Sequence, residues 1–338
     1  MRAAVTTMHL IASMLSGTDA TSAIIPSPTH PAIPTLHQIP RHDWLNVMDH
    51  GAKGDGHTDD AAAIQSVIDL QAQSYTEYGC AGKCQNATTT IYFPPGVYAI
   101  SKQLVLQHGN GQAPGGYGGA IVGHGAATTI LWTGPAVPPV PGGAGPTAGD
   151  AVTGRSMLWD NGTSYFYFEG LTWDGQGKAA AGVDHFSHGH YGTWMRHRNE
   201  AFQNFTEAGV RVGGGAGNTN DGNERMATAE INYRNVIFRN CGIGIALYSY
   251  NDLDQMINGA HFEDCGTGIF CPHGNFYLYN SRFERSKTMD IYWGASPSSA
   301  RRVVSVNSTM FTVMGAWCSA SSAAKIEDVR IINWLGSR

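Results

Sequence analysis

The most regular pattern in the chain is a repeat of short apolar runs in its second half. Residues 235–245 have the sequence Asn-Val-Ile-Phe-Arg-Asn-Cys-Gly-Ile-Gly-Ile, and residues 259–269 repeat it as Gly-Ala-His-Phe-Glu-Asp-Cys-Gly-Thr-Gly-Ile, 24 positions later. Other copies begin at Asn280 and Val304, and weaker ones at Phe168 and Phe202. No helical pattern separates the copies. A period in the twenties without helices predicts a β-solenoid, whose parallel strands stack about 4.8 Å apart.

Helical periodicity occurs much earlier in the chain, before the first strand patterns. Four apolar residues share one face of a helix predicted over residues 59–73. They are Ile64, Val67, Ile68 and Leu70. Thr58 is a suitable N-cap, and Asp59 and Asp60 would then lie in the first turn, where the helix dipole favours carboxylates. Residues 90–101 and 121–131 instead have the pattern of strand, turn and strand.

Residues 46–131 resemble the N-terminal signature of the pectate-lyase superfamily. The matching motifs are Gly-Ala-Lys-Gly-Asp-Gly at 51–56 with Thr-Asp-Asp at 58–60, then Tyr-Phe-Pro-Pro-Gly-Val-Tyr at 92–98, then the run from 121 to 131. This resemblance implies an all-β fold, a single-stranded right-handed parallel β-helix whose N-terminal α-helix caps the open end. It also implies that Asp55, Asp59 and Asp60 are structural. Members of the superfamily include polysaccharide-degrading enzymes and phage tailspikes, so the motif marks a fold and leaves the chemistry open.

Composition agrees with short strands joined by tight turns. The 338 residues include 43 glycines and only 14% charged residues, whereas an average globular domain has about 25%. A net charge of −5 and a pI near 6.2 argue against a nucleic-acid partner. Residues 1–23 resemble a weak signal peptide, which predicts secretion, and the alternative is a disordered leader. Residues 24–43 form a proline-rich linker before the β-helix domain at 44–338. Outside the leader, no stretch is apolar enough to cross a membrane.

Strand alternation predicts an outward row of side chains. If Val183, Val210, Ile245 and Ile269 point into the tube, then the next residue of each coil points out. The outward row is Asp184, Arg211, Ala246, Phe270 and Tyr292. Asp184 and Arg211 are candidate catalytic residues because a carboxylate beside a cation suits proton transfer, and Phe270, Tyr292 and Trp293 are candidate sugar platforms. The alternative is a surface ion pair beside ordinary exposed aromatics.

Polar segments next to this row supply the other candidates. Residues 184–200 are too polar and too long for one strand and predict a loop that leaves the solenoid. Its candidate substrate-binding residues are His188, His190, Tyr191, Trp194 and Arg196. The two histidines lack a third ligand, so we expect no metal there. A second loop, 213–228, adds Asp221 and Glu224 as candidate catalytic carboxylates, and Tyr248 begins a third polar run that is expected to contact substrate.

Known catalytic templates of this fold do not match. The Asn-Thr-Asn-Asp-Gly at 218–222 and the Ser-His-Gly-His at 187–190 stand in the reverse of polygalacturonase order. The Asp-Asp pair is missing from its place between them, and Arg-Ile-Lys is absent. The predicted function is a secreted enzyme that cleaves a polysaccharide or oligosaccharide, either a hydrolase or a lyase. No cofactor is expected, except calcium if the enzyme is a lyase. The alternative is a non-catalytic glycan-binding or tailspike-like adhesion protein.

Cysteine, asparagine and the C-terminal residues bear on architecture. Cys80 and Cys84 suit a short disulfide loop in an exported protein, with metal binding as the rival. Cys241 and Cys265 occupy equivalent turns and either stack as buried thiols or bond to each other. Asn235 and Asn280 suit stacked turns. Residues 329–335 still have a coil-strand pattern without a visible cap, so either the chain is a fragment or a second copy covers that end, forming a homo-oligomer.

Overall fold

The computed structural model describes residues 32–77, 87–107, 118–137, 155–161, 163–185, 191–213, 227–249, 252–272, 274–294, 298–314 and 325–332. These residues form one α-helix, α1 (Ala61–Glu77), a 3-10 turn (Val47–His50) and a series of short strands. The strands are β1 (Leu45–Asn46), β2 (Asp55–Asp59), β3 (Ala87–Tyr92), β4 (Gly96–Ile100), β5 (Leu104–Gln107), β6 (Gly118–Val122), β7 (Thr128–Trp132), β8 (Ser156–Asn161), β9 (Phe166–Glu169), β10 (Thr172–Asp174), β11 (Ala181–His185), β12 (Tyr191–Thr193), β13 (Arg196–Arg198), β14 (Ala201–Gln203), β15 (Ala208–Val212), β16 (Ala227–Ala229), β17 (Asn232–Arg234), β18 (Ile237–Arg239), β19 (Ile243–Leu247), β20 (Gln255–Asn258), β21 (His261–Glu263), β22 (Thr267–Cys271), β23 (Phe276–Tyr279), β24 (Arg282–Glu284), β25 (Met289–Trp293), β26 (Ser299–Val306), β27 (Thr312–Met314) and β28 (Lys325–Ile332).

Successive coils stack their strands in parallel, which confirms the predicted β-helix. Sheet A contains β5, β8, β11, β15, β19, β22, β25 and β27. A second run of pairings, sheet B, contains β1, β3, β6, β9, β13, β17, β20 and β23. A third run, sheet C, contains β2, β4, β7, β10, β14, β18, β21 and β24. The long strand β26 pairs with both β23 and β24 and so joins sheets B and C, and β28 pairs along β26.

The phenylalanines of the repeat form a ladder inside the tube. Phe202, Phe238, Phe262 and Phe283 stack with ring centroids 5.4, 5.0 and 4.7 Å apart and with interplanar angles of 12° or less. A Cβ on Gly244 would lie 2.5 Å from the Phe262 ring and 2.6 Å from a carbonyl oxygen. The glycine of the repeat therefore leaves room for the ring of the next coil, which explains why Gly and Phe recur together.

Stacked polar side chains hold the turns, as the sequence predicted for Asn235 and Asn280. Asn235 Nδ2 donates to Asn199 Oδ1 at 3.3 Å, and Asn280 Nδ2 donates to Asn258 Oδ1 at 3.1 Å. Asn199, Asn235 and Asn280 all have positive φ, a conformation that asparagine tolerates better than most residues. Cys241 and Cys265 are buried free thiols, so the structure shows stacked thiols and no bond between them. Cys80 and Cys84 lie outside the described residues.

Helix α1 covers the N-terminal end of the stack, packing against β1, β3 and β5. Gln65 Nε2 donates to the carbonyl of Val105 at 2.9 Å, and Gln65 Oε1 accepts the Val105 amide at 2.8 Å. These bonds satisfy an edge strand that no earlier coil covers. The helix begins two residues later than predicted, because Asp59 Oδ1 accepts the Ala61 amide. Leu70, which was predicted to face the core, is 39% exposed.

The carboxylates of the N-terminal motif bind backbone, as the resemblance implied. Asp60 is buried and accepts the amides of Lys53 and Gly54. Asp55 accepts the amides of His57 and Thr58, and these bonds lower its pKa to about 2. The motif therefore fixes the turn before the helix.

Part of the predicted linker packs on the β-helix. Ile33 is buried against Ala201 and Ile237, and the Leu36 amide donates to the His124 carbonyl at 3.0 Å. Sequence composition gave no sign of this contact, because the apolar residue stands alone among prolines. Residues 1–31 lie outside the described part of the chain.

Candidate functional site

The outward row on sheet A has the predicted register. Asp184 pairs with Arg211, Arg211 with Ala246, Ala246 with Phe270, and Phe270 with Tyr292. The aliphatic residues that precede them align in the same way. Consecutive members of the row therefore lie one strand spacing apart, about 4.8 Å.

Charged residues at the start of this row form a cluster that we call the acid–arginine cluster, consisting of Asp184, Glu207, Arg211 and Tyr248. Arg211 Nη1 lies 3.5 Å from Asp184 Oδ2, and Arg211 Nε lies 3.2 Å from Glu207 Oε1. The guanidinium carbon lies 5.5 Å from the centre of the Tyr248 ring, within cation–π range. One cation thus contacts two carboxylates and an aromatic face.

The cluster is buried, which corrects the expectation of an exposed charged pair. Arg211 has no exposed surface, and Asp184 is 3% exposed. Alternation predicts the direction of a side chain, but its burial depends on what other coils and loops place over it. Tyr248 is likewise 9% exposed, and its hydroxyl donates to Glu207 Oε1 at 3.5 Å.

Several polar atoms of the cluster lack hydrogen-bond partners among the residues that the structure describes. They are the three guanidinium nitrogens of Arg211, Asp184 Oδ1 and Glu207 Oε2. The ion-pair distances are short enough for attraction, but their angles do not suit hydrogen bonds. Buried polar groups in this state are rare and call for an explanation such as a catalytic role or a bound ligand.

Burial sets the protonation of the cluster. Burial raises the pKa of Asp184 above its ordinary value, and the nearby Arg211 only partly offsets this. Burial alone would lower the pKa of Arg211, but Asp184, Glu207 and Tyr248 raise it overall. Asp184 is therefore suited to hold and donate a proton, whereas Arg211 is a permanent cation and a poor base.

Aromatic residues continue the row. Phe270 and Tyr292 are partly exposed and stack with centroids 4.9 Å apart, and Tyr248 lies 6.0 Å from Phe270. Trp293, which was predicted to share this surface, points into the tube and packs against Phe276. The correction follows from alternation, because the neighbour of an outward Tyr292 must point inward.

Two residues expected beside Asp184 lie elsewhere: Arg196 is on sheet B, and Trp194 is in the turn just before it. The chain from 191 to 200 is not a loop: it forms β12 and β13, with Arg196 and Arg198 outward and His197 inward. Tyr191 belongs to β12, which pairs with β16. Asp221, Glu224, His188 and His190 lie outside the described residues.

Polar side chains that sequence analysis missed fill the tube beneath this region. Asp160 Oδ2 lies 2.7 Å from His185 Nδ1, and His185 Nε2 lies 2.8 Å from His197 Nε2. His197 Nδ1 lies 2.6 Å from Glu200 Oε2, and Trp173 Nε1 donates to Glu200 Oε1 at 3.0 Å. All five residues are buried. We call this set the inner polar chain. It crosses the tube from sheet A towards sheets B and C.

Burial controls the charge state of the inner polar chain as well. Burial raises the pKa of Glu200 to about 8 and lowers the pKa of His197 to about 3. The pKa of His185 is also lowered, chiefly by burial and against the pull of Asp160. Both imidazoles are therefore neutral at pH 7, and Glu200 is largely protonated.

The described ranges contain no group of three or more His, Cys, Asp or Glu side chains that could hold a metal ion. No helix in them is both long and apolar enough to cross a membrane.

The stacked parallel coils, the capping helix and the outward row define a right-handed parallel β-helix of the pectate lyase-like type. The family described as "Rhamnogalacturonase A/epimerase, pectate lyase-like" matches residues 44–270. The chain belongs to this family.

Individual relatives match only in part. Over 65 residues, the chain is 43% identical to a protein of Arthroderma benhamiae named "Probable glucan endo-1,3-beta-glucosidase", which is 18% of this chain and 7% of that protein. The chain spans less than a tenth of the length of the curated relatives it matches.

Among solved structures, the N-terminal fragment of bacteriophage phi29 gene product 12 superimposes with a TM-score of 0.57 and 15% identity, over 84% of this chain and 46% of that one. ORF18 of Geobacillus virus E2 gives a TM-score of 0.50 and 15% identity, over 87% and 62%. At this identity the two structures support the fold alone.

Proposed function

We propose that this protein is a carbohydrate-active enzyme that cleaves a polysaccharide at the acid–arginine cluster on sheet A. The observation that supports this most directly is the pair of carboxylates, Asp184 and Glu207, on one buried guanidinium whose nitrogens lack hydrogen-bond partners. Perturbed titratable groups with unmet hydrogen bonds are typical of functional sites. The name of the Arthroderma relative and that of the matched family agree with action on a glycan.

Each member of the cluster has a role in this proposal. Asp184 keeps its proton by burial and donates it to the glycosidic oxygen as the bond to the leaving sugar breaks. Glu207 is the second carboxylate that such a reaction requires, either as nucleophile or as the base that activates water. Arg211 holds both carboxylates in place. Phe270 and Tyr292 lie two and three coils beyond Arg211. They supply the apolar surface on which neighbouring sugar rings pack.

Hydrolysis suits this cluster better than elimination. A lyase needs a base that removes a proton from the sugar ring, and Arg211 is held in its charged form by two carboxylates. The products distinguish the two reactions, since elimination creates a carbon–carbon double bond that absorbs ultraviolet light and hydrolysis does not. Secretion is part of the proposal and rests on the resemblance of residues 1–23 to a signal peptide. Fractionation of the producing cells tests it.

The experiment compares wild type with Asp184→Asn and Glu207→Gln on a panel of β-1,3-glucan and pectic polysaccharides, measuring released reducing ends. Loss of about a hundredfold or more in rate is expected for each variant, the scale of a general acid–base contribution. Asp290→Asn is the matched control, because Asp290 is a buried carboxylate on the same sheet. Cleavage by Asp184→Asn at the wild-type rate would refute the proposal. Binding of a polysaccharide to Tyr292 without any cleavage by wild type would instead favour a glycan-binding protein.

A further inference from the structure

Sheet B presents a second surface, separate from the acid–arginine cluster on sheet A. A groove with a volume of about 530 Å³ runs over β9, β13 and β17, within the range of about 300–1,000 Å³ that is usual for small-ligand sites. We call it the arginine groove. The side chains that matter for its chemistry are Tyr165, Tyr167, Trp194, Arg196, Arg198 and Arg234.

Three guanidinium groups lie close together in this groove. Arg198 on β13 pairs directly with Arg234 on β17, and Arg196 pairs with the uncharged Asn232 and Tyr167. Like charges directly opposite each other on neighbouring strands destabilise a sheet. The fold therefore holds an unfavourable arrangement that a bound anion would relieve.

Carboxylates of the chain compensate this charge only in part. Glu169 pairs with Arg198 in register, and its Oε1 lies 3.6 Å from Arg198 Nε. No ion pair with Arg196 or Arg234 occurs among the described residues. Glu230, in the turn before β17, makes no ion pair with the three arginines. Three cations thus face one paired carboxylate on a chain whose net charge is −5.

Two aromatic side chains border the arginines. Tyr165 and Trp194 occupy equivalent turns of successive coils and stack with centroids 5.9 Å apart and planes 11° apart. They are 42% and 52% exposed, so the stacked pair presents aromatic surface to solvent. Both have positive φ, 58° and 61°, as do Glu230 and Asp254 in the turns before the next strands of sheet B. This backbone conformation therefore belongs to the coil turn, which directs the two rings outward.

We propose that the arginine groove binds an acidic polysaccharide through the carboxylates of its uronate residues, independently of cleavage on sheet A. A guanidinium group matches a planar carboxylate with two parallel hydrogen bonds. Exposed aromatic surface next to it covers the apolar face of a sugar ring, which a simple inorganic anion does not need. The combination of several arginines and an exposed aromatic pair therefore favours a uronate polymer over a small anion.

The test measures binding of an α-1,4-linked galacturonate hexasaccharide by calorimetry at low and moderate salt. Arg196→Gln with Arg234→Gln should weaken binding by about a hundredfold, because two ion pairs are lost and each loss of about 1.4 kcal/mol is a factor of ten. Arg301→Gln is the matched control, since Arg301 is an exposed arginine on the same sheet. Trp194→Ala should also weaken binding, and higher salt should weaken it further.

Three outcomes would overturn the proposal. They are unchanged affinity in the double arginine variant, equal affinity for a neutral glucan hexasaccharide, and full displacement of the uronate by an equal concentration of inorganic phosphate. Circular dichroism and the melting temperature check that the surface variants fold. Asp184→Asn should lose cleavage and keep groove binding, so failure of the proposed catalytic function and failure of the groove are separate results.

Discussion

Glu200 at the end of the inner polar chain gives the sharpest test of the structure. Glu200→Gln keeps the size of the side chain and removes its titration. In wild type, the geometry of the inner polar chain determines which atom donates the proton in each hydrogen bond. Protonated Glu200 donates to His197 Nδ1, neutral His197 then donates from Nε2 to His185 Nε2, and His185 donates from Nδ1 to Asp160. A glutamine amide donates to His197 in the same direction, and its oxygen still accepts from Trp173.

The expected effect depends on pH. The pKa of Glu200 rises from 4.5 to about 8 on folding, so between these values the folded chain holds a proton that the unfolded chain has lost. The free energy of unfolding therefore falls as pH rises through this window. His197 acts in the opposite direction between about pH 3 and 6.5, where unfolding takes up a proton. His185, whose pKa burial also lowers, acts in the same direction as His197. Both histidines oppose the Glu200 effect below about pH 6.5, so the Glu200 effect is clearest from about pH 6.5 to 8.

The size of this decline follows from the slope of about 1.4 kcal/mol per pH unit for one proton. Over the remaining 1.5 units or so, the titration of Glu200 should lower the free energy of unfolding of wild type by about 2 kcal/mol. Asp252, whose pKa burial also raises to about 8, adds a decline that wild type and variant share. Glu200→Gln should lack the Glu200 part of this decline, since the amide does not titrate. The free energy of unfolding of the variant, relative to that of wild type, should therefore rise by about 2 kcal/mol between pH 6.5 and pH 8.

Urea unfolding followed by tryptophan fluorescence at several pH values measures this difference. Glu327→Gln serves as the control, because the same substitution at a side chain that is 56% exposed should leave the pH dependence unchanged. Parallel pH profiles for wild type and Glu200→Gln would refute the assignment of a protonated Glu200. A large loss of stability in the variant at pH 6.5 would instead indicate an ionised Glu200 beside a charged His197.

Two further predictions concern the core ladders. Phe262→Ala removes a ring that stacks on Phe238 at 5.0 Å and should lower the free energy of unfolding, measured in urea, by about 3–5 kcal/mol. Met256→Ala, at a position that is 39% exposed, should lower it much less. Equal losses in the two variants would contradict the packing. Cys241 and Cys265 are buried, and burial together with their mutual contact raises the pKa of Cys241, so a chromogenic thiol reagent should not modify them until the protein unfolds. Rapid modification of Cys241 or Cys265 in the native protein, assigned to these residues by mass spectrometry of the labelled peptides, would contradict their burial.

Much of the fold is predictable because the coils repeat. The spacing of Phe238 and Phe262 predicts the ladder, and the N-terminal motif places the capping helix to within a few residues. Both signals depend on residues near each other in sequence or at a fixed period. Packing of Ile33 on the side of the tube depends on a single contact with distant coils, and no local pattern encodes it.

The sequence predicts which residues of the site are neighbours across the strands, but it does not predict that they are buried. Alternation placed Asp184 and Arg211 next to each other, but their burial depends on side chains and loops from other coils. Polar composition also predicted a loop where His197 lies inside the tube, since a solenoid core accepts polar residues when they pair with each other across coils. The alternation Arg196, His197, Arg198 was the available signal, with two outward cations around one inward imidazole.

Contact between each repeat glycine and the phenylalanine of the following coil has a consequence for how this chain can change. Gly244 leaves space for the Phe262 ring, and Gly268 leaves space for the Phe283 ring in the same way. Each coil therefore provides the same space for the phenylalanine of the next coil. Removal or duplication of one whole coil keeps every glycine opposite a phenylalanine, whereas an insertion of even one residue within a coil places a side chain where there is no space. The tube can therefore grow or shorten by whole coils, and its length can vary without redesign of its interior.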